Sequence, residues 1–450
     1  MPQLMTLPPK KRSAVDCGDR LRIAVFTYSY FPTMTGISTL VHERIACLLR
    51  QNHTVRLFYP QILKGDESVS EGVSGLQELQ SLGRFSSVAF PSVPNPLRRS
   101  FPEAASWRVW DDTELLRDFT PDVITVDEAA GLYGASSGWL CGYRRPIGVR
   151  YAKQFDVPCV NLLQTDWQGY MEHFTGRLPF RLLLPAVRMA MKPVAAGYDA
   201  NLTPSVYLRN QNRAVYKDRV EHLAFHGVDC DRFTPANSRF GRPVEDTSPL
   251  ILSTCRIAPE KNVWRLLEAF KHVLTEMPMA RLAILGRGPL LPRLRKEVPN
   301  FGNRLLLPGA VFGDDLRAWY ARADVYWTAS KTENFSAGIL ESLASSTPVI
   351  AAAAGGNVEQ VVNGVSGHLV RVNDSHEMAR RTTELLRNPE QLAAMSIAAR
   401  EQAIVLSLEP ATDRLVTFLR ELIACKHKRT FDSVAISSSY SKDKIAFSVH

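Results

Sequence analysis

The sequence predicts an α/β protein made of two doubly wound parallel sheets, each with helices on both faces. Three observations predict it. The chain has 450 residues, more than one hydrophobic core comfortably organises, so two domains of roughly 200 residues each are expected. Short apolar runs alternate with amphipathic helical stretches, the pattern of βα units around buried parallel strands. The alternation breaks over "NSRFGRPVEDTSP", residues 237–249, and then restarts.

In the first block, "LRIAVFT" (residues 21–27) reads as a buried strand and is followed by a loop with Pro32 and Gly36. Ile37, Leu40, Val41, Ile45, Leu48 and Leu49 then share one helical face. "TVRLFYP" is the next strand, which completes a β-loop-α-β unit. Further strands are expected in "DVITVDE" and "VPCVNLLQTD", and the polar, Gly- and Ser-rich residues 64–83 read as a mobile loop. In the second block, "LILSTC", "ARLAILG", "DVYWTAS" and "PVIAAA" read as strands, with "VWRLLEAFKHVL", "LRAWYARA" and "AGILESLASS" as the intervening helices. "HEMARRTTELLRN", "PEQLAAMSIAAREQAI" and "EPATDRLVTFLRELIA" are amphipathic helices that close the chain. The division expected is a flexible basic leader (1–20), an N-terminal Rossmann-like domain (21–236), a linker (237–249) and a C-terminal Rossmann-like domain (250–405). A helix packing back towards the N-terminal domain (406–425) and a disordered tail (426–450) follow.

Composition is that of a globular protein, 45% apolar and 22% charged, with a formal net charge of +9. The basic balance suits an anionic partner. No basic run interleaved with aromatics points to nucleic acid. Seven scattered cysteines without a Cys-x-x-Cys pair fit neither a disulfide framework nor a zinc site, and suit a reducing compartment. No apolar run reaches the roughly 18 residues of a spanning helix, and the N-terminus lacks a secretory apolar core. A cytoplasmic protein is expected. Residues 175–193 place Arg177, Arg181, Arg188 and Lys192 among leucines and methionines, so peripheral contact with a membrane is the second expectation. The interruption at Pro185 favours an ordinary helix with its basic side out.

Open α/β sheets bind ligands beyond the carboxyl ends of their strands. "SKTENFSAGILESLASS" lies at such an end and carries Glu333 and Glu341 with seven residues between them. A helix is expected to begin near Asn334 or Phe335, leaving the amides of residues 335–338 free to meet an anion. A carboxylate accepts two hydroxyls, which suits a sugar or a ribose. On spacing alone, both glutamates also fit ordinary helix-start and surface positions. In "CRIAPEKN", Arg256 and Lys261 flank a strand-to-helix loop from which both can reach one diphosphate, or simply be solvated. "LGRGP" is a glycine turn at another strand end; it lacks the third glycine of a dinucleotide fingerprint, so hydride transfer is not expected. Thr35 and Gly36 occupy the corresponding turn of the first block. Asp229 and Asp231 spell a DxD, but within a connecting segment, where a structural reading is preferred to a metal.

Together these segments resemble the retaining glycosyltransferases of family four, which have the GT-B fold. The resemblance spans about residues 21–425, and its most specific element is the Glu-x7-Glu stretch "ENFSAGILE". "RIAPEKN", "LGRGP", "HGVDCDRFTP" and "LPGAVFGDDLRAWYARADVYWTAS" fall in the family's order. The resemblance implies transfer of a sugar from a nucleotide diphosphate sugar, a UDP-sugar in the commonest case, to an acceptor hydroxyl or amine with retention. No metal and no other cofactor is implied. Glu333, Arg256 and Lys261 would be catalytic. Gly36, Asn334, Phe335, Ser336 and Glu341, with Gly286, Arg287 and Val311 near the base, would bind the donor. Gln164 and Asp166 would lie on the acceptor side. Many members have a histidine where this chain has Gln164, a second glycine where it has Thr35, and glycines at Ser336 and Ser346; these departures point to an unusual donor or acceptor. The acceptor class (small molecule, glycan or lipid) is not encoded legibly. Two other classes are weighed: a sugar-nucleotide epimerase, and a non-catalytic nucleotide-sugar binder.

Overall fold

A computed structural model of the chain describes residues 19–28, 30, 36–60, 69–90, 92–94, 102–104, 116–128, 147–166, 185, 188–189, 192, 195–236 and 248–427. Residues 1–18 of the leader, most of the linker, the tail after His427 and nearly all of the basic segment 175–193 lie outside the described residues.

The first sheet has seven strands in the order β3-β2-β1-β6-β7-β8-β9. Their ranges are β1 Arg22–Thr27, β2 Thr54–Pro60, β3 Phe85–Phe90, β6 Val123–Asp127, β7 Cys159–Leu162, β8 Ala200–Thr203 and β9 Val220–His222. Every pairing in it is parallel. A small antiparallel pair, β4 (Ser92–Pro94) and β5 (Pro102–Ala104), lies apart from it. The second sheet has six parallel strands in the order β12-β11-β10-β13-β14-β15. These are β10 Leu250–Thr254, β11 Arg281–Leu285, β12 Leu305–Gly309, β13 Val325–Thr328, β14 Val349–Ala352 and β15 Gly367–Val370. In both sheets the strand order reverses beside the first strand, between β1 and β6 and between β10 and β13. Chain connections leave in opposite directions there and open a crevice at the carboxyl ends.

Each sheet is a hydrophobic slab covered on both faces. Ile23, Val25, Val55, Leu57 and Val123 pack with Val41, Ile45, Leu48 and Leu49 of the helix Gly36–Arg50 on one face. Ala24, Phe26, Phe58, Ile124 and Val126 pack with Val149, Tyr151 and Ala152 on the other. In the second sheet, Ile251, Leu282, Ile284 and Trp327 meet the helix Val263–Glu276, while Leu252, Ala283, Leu285 and Tyr326 meet Ile339, Leu340 and Leu343. The alternation along each strand sets this two-sided burial.

Two sequence expectations change. Residues 64–83 do not form a loop throughout: Val69–Ser81 is a helix, whose fully buried Leu79 and part-buried Leu76 pack into the first core. Few apolar anchors among serines and glycines hid that period. The strand expected through "VPCVNLLQTD" ends at Leu162; the buried Leu163 still donates its amide to the Leu202 carbonyl at 2.8 Å, and residues 164–166 continue as a polar loop. The helix Leu408–His427 returns to the first core, burying Leu415, Phe418, Leu419 and Leu422 beside Leu21, Val41 and Leu48.

Candidate active site

The second sheet ends in a compact polar cluster. The β13 strand runs into residues 329–336, and the helix Ala337–Ala344 follows. Glu333 accepts a hydrogen bond from Lys261 Nζ at 2.6 Å, with both side chains mostly buried. Lys261 comes from the 3-10 turn Pro259–Lys261 after β10, so the switch point brings the two charges together. Burial works against the Lys261 ammonium, but the charge and hydrogen bond of Glu333 outweigh it and raise the pKa above the usual lysine value. Arg256 is hydrogen bonded to Glu260 within its own loop.

Glycines make this packing possible. Gly356 donates to the Glu333 carbonyl at 2.7 Å. A Cβ on Gly355 or Gly356 would fall on the backbone oxygens of Glu333 and Asn334, at 1.9 and 1.6 Å. On the opposite side, a Cβ on Gly286 would lie 1.9 Å from the Cys255 carbonyl. The "LGRGP" glycines therefore let that turn lie directly on the segment carrying Arg256. The Gly286 amide donates to the Gly309 carbonyl at 2.7 Å, joining the turn to the loop holding part-buried Val311, while Arg287 is exposed.

The helix start differs from expectation. Helix begins at Ala337, not at Asn334 or Phe335, and Ser336 is its cap, accepting from the Ile339 amide through Oγ. The Ser336 amide is not free: it donates to Gln360 Oε1 at 2.7 Å, and Gln360 Nε2 returns a bond to the Ser336 carbonyl at 2.9 Å. The first-turn amides of Ala337 and Gly338, which have no intrahelical acceptor, are the donors this terminus offers to an anion. Phe335 is buried, with its ring 6.1 Å from that of His226.

Glu341 lies one turn further along. Burial raises its pKa to about 7, a hydrogen bond from Tyr320 pulls it down, and the charge of Glu43 pushes it up. Tyr320 in turn bonds Thr254 at the end of β10. Glu43 stands on the helix Gly36–Arg50 of the first half and accepts from Arg232 at 3.0 Å. Gly36 opens that helix at the carboxyl end of β1, and the space a Cβ would take there is open.

The first sheet supplies a second buried cluster. Asp127, at the end of β6, is wholly buried and accepts from Arg44 and from Gln164 Nε2. Burial raises the Asp127 pKa, opposed by Arg44 and then by Gln164. Glu128 accepts the amides of Gln164 and Thr165 at 2.8 and 2.7 Å, which fixes the loop 164–166. Gln164 also accepts from Asn334 Nδ2 through its backbone carbonyl, so the two halves touch at two predicted site residues. Asp166 accepts from the Tyr207 hydroxyl at 2.8 Å. Burial, with Arg44 beside it, holds His226 well below the usual histidine range. Asp229 folds back on its own turn, accepting the amides of Asp231 and Arg232, and faces Arg50 at 3.5 Å.

The sequence reading did not single out Arg44, Asp127, Glu128, His226, Glu359 or Gln360. "TVDE" at a strand end and "GGNVEQ" after another were the available signals.

Residues 236–402 match the family model "Glycosyl transferases group 1". The chain is 28% identical over 408 residues to a GDP-mannose-dependent alpha-mannosyltransferase of Mycobacterium tuberculosis, a match covering 89% of this chain and 96% of that protein. It is 25% identical over 348 residues to an alpha-monoglucosyldiacylglycerol synthase of Streptococcus pneumoniae, covering 74% of this chain and 71% of that protein. Among solved structures, sucrose-phosphate synthase from Thermosynechococcus elongatus superposes with a TM-score of 0.70 at 18% identity, covering 90% of this chain and all of that one. With its two parallel sheets the chain has the GT-B fold, and over residues 236–402 it is similar to the group 1 glycosyltransferases.

Proposed function

We propose that the protein transfers a hexosyl group from a nucleotide diphosphate sugar to an acceptor hydroxyl or amine, with retention and without a metal. The Lys261–Glu333 pair at the start of the helix Ala337–Ala344 carries the proposal. Glu333 holds donor-sugar hydroxyls. Lys261 has three donors and gives Glu333 one, so two remain for phosphate oxygens. Arg256, the Gly36 turn and the amides of residues 337–338 complete the reception of the diphosphate, Glu341 receives the ribose, and the base lies along Gly286, Arg287 and Val311.

The bond between the anomeric carbon and the diphosphate oxygen breaks with its electron pair leaving on the diphosphate. Cations and helix amides, already in place, stabilise that charge as it grows. The acceptor attacks from the same face, and its proton passes to the departing phosphate oxygen. No enzymic nucleophile is assigned. The commonest donor class is a UDP-sugar, and the name of the mycobacterial relative sets GDP-mannose beside it. The pneumococcal relative's name favours a lipid among possible acceptors. No helix among the described residues is long and apolar enough to cross a membrane, so contact with such an acceptor would be peripheral.

Thermal shift with UDP, GDP, ADP and dTDP, each without metal, tests the donor site. One nucleotide should stabilise the protein, and the Arg256→Ala/Lys261→Ala variant should lose the shift. No shift with any of them would overturn the site. With the stabilising nucleotide's sugar as donor, slow release of free sugar into water marks an enzyme, and an intact donor marks a binder. The anomeric configuration of the product, read by NMR, tests retention.

A further inference from the structure

The four-residue helix Asn357–Gln360 touches both halves of the molecule through adjacent side chains. On the donor side, Gln360 makes its two bonds to the backbone of Ser336, and the preceding turn seats Gly356 on Glu333. On the other side, Glu359 reaches the start of the helix Val206–Tyr216 in the first half. Its two carboxylate oxygens accept the amides of Val206 and Tyr207 at 2.8 and 2.7 Å. The third amide, Leu208, is met by Ser205 Oγ. The donor half thus supplies the carboxylate that caps a helix of the other half, where charge and free amides complement each other.

That capped helix contacts a predicted acceptor residue. Tyr207, whose amide Glu359 holds, donates its hydroxyl to Asp166 Oδ2. At the other end of the same loop, the Gln164 carbonyl is held by Asn334. The loop 164–166 is therefore gripped at both ends by contacts leading back to the residues around Glu333, with Glu128 fixing it from its own sheet.

We propose that Glu359 is a positioning residue that, through Tyr207, couples occupancy of the donor site to the order of the acceptor-side loop 164–166. The inference rests on the donor-site reading above. A nucleotide that settles the turn around Glu333 settles Gly356 and the helix 357–360 with it. Glu359 carries that order to the helix 206–216, and the Tyr207 hydroxyl carries it to Asp166. The acceptor side is then assembled only once a donor is present, which limits wasteful transfer to water.

Hydrogen exchange of the full chain with and without saturating UDP or GDP tests this. In the wild type, the nucleotide should slow exchange in the peptide covering residues 159–166. In Tyr207→Phe, which keeps the helix cap, nucleotide Kd should stay within about twofold of wild type, while the slowing at residues 159–166 is mostly lost. Glu359→Ala should lose it as well, and Glu359→Gln, which keeps an acceptor oxygen, should recover part. A purely structural Glu359 would lower Tm in Glu359→Ala and leave Tyr207→Phe coupled as in the wild type. Equal slowing in wild type and Tyr207→Phe overturns the coupling and leaves the donor site standing. Binding of neither nucleotide to the wild type overturns the donor site and the coupling together.

Discussion

Glu341 and Glu333 carry the same group in different surroundings. Glu341 has no cation at hydrogen-bond distance among the described residues; burial and Glu43 hold its pKa near 7, from a usual value of 4.5. Between about pH 4.5 and 7 the folded chain keeps a proton that the unfolded chain has released. The stability Glu341 contributes is thus full below that window and lost as pH rises through it. Glu341→Gln should flatten this part of the Tm-versus-pH curve. Ribose hydroxyls bind the ionised carboxylate better, so wild-type nucleotide affinity should rise from pH 6 to 8 and that of Glu341→Gln should not; equal slopes in titration calorimetry would remove Glu341 from the ribose site. Glu333 is paired with Lys261, and in the proposed function it holds the donor sugar. Glu333→Ala should lower kcat by about 100- to 1000-fold with Tm little changed, and full turnover would refute its role. Spacing and strand-end position single out both glutamates and Lys261 in the sequence, and the structure pairs Lys261 with Glu333. The Arg44–Asp127 pair was not legible, because its partners lie 83 residues apart and only the closed sheet brings them together.

At the scale of elements, the parallel strands announced themselves as apolar runs, and the helices with a continuous apolar face did so too. The helix Val69–Ser81 was missed because serines, glycines and polar residues break up its apolar period; among its described residues Leu76 and Leu79 pack into the core. The start of the helix Ala337–Ala344 was placed early because sequence shows a possible cap at Ser336 but not the Gln360 side chain that takes its amide. The turn after this helix holds Ser346 at φ 58°, left-handed backbone at the position where many family members have glycine. Holding a serine there costs about 1–2 kcal/mol, and the added freedom of glycine in the unfolded chain offsets part of it. Ser346→Gly should therefore raise stability by about 0.5–1 kcal/mol in urea unfolding, with no change in turnover; a destabilised variant would mean that the serine hydroxyl has a role of its own.

Across the whole molecule, the two halves are stitched by chain crossings as well as by side chains. Residues 227–233 pass beside residues 406–408, so closely that a Cβ on Gly227 would lie 2.5 Å from the Ser407 carbonyl. Arg400 holds the crossing through the carbonyls of Phe233 and Cys230 at 2.7 and 2.8 Å. The helix Leu408–His427 then completes the first core, with Leu419 fully buried there. Leu419→Ala should destabilise by about 2–5 kcal/mol. The loss should appear in the first half, as faster hydrogen exchange in β1 and β2, although the mutation follows the second half in sequence. Loss confined to the second sheet would contradict the packing. Sequence pattern showed this helix to be amphipathic; which core its face covers follows only from the path of the chain.

The returning helix also sets the order in which the protein can be finished during synthesis. Residues 21–236 leave the ribosome first, yet the apolar wall formed by Leu21, Val41, Leu48 and their neighbours is covered by residues 415–423, made after the entire second sheet. The half that emerges earliest is closed last, and until then it must wait with an open face while the second half folds beside it.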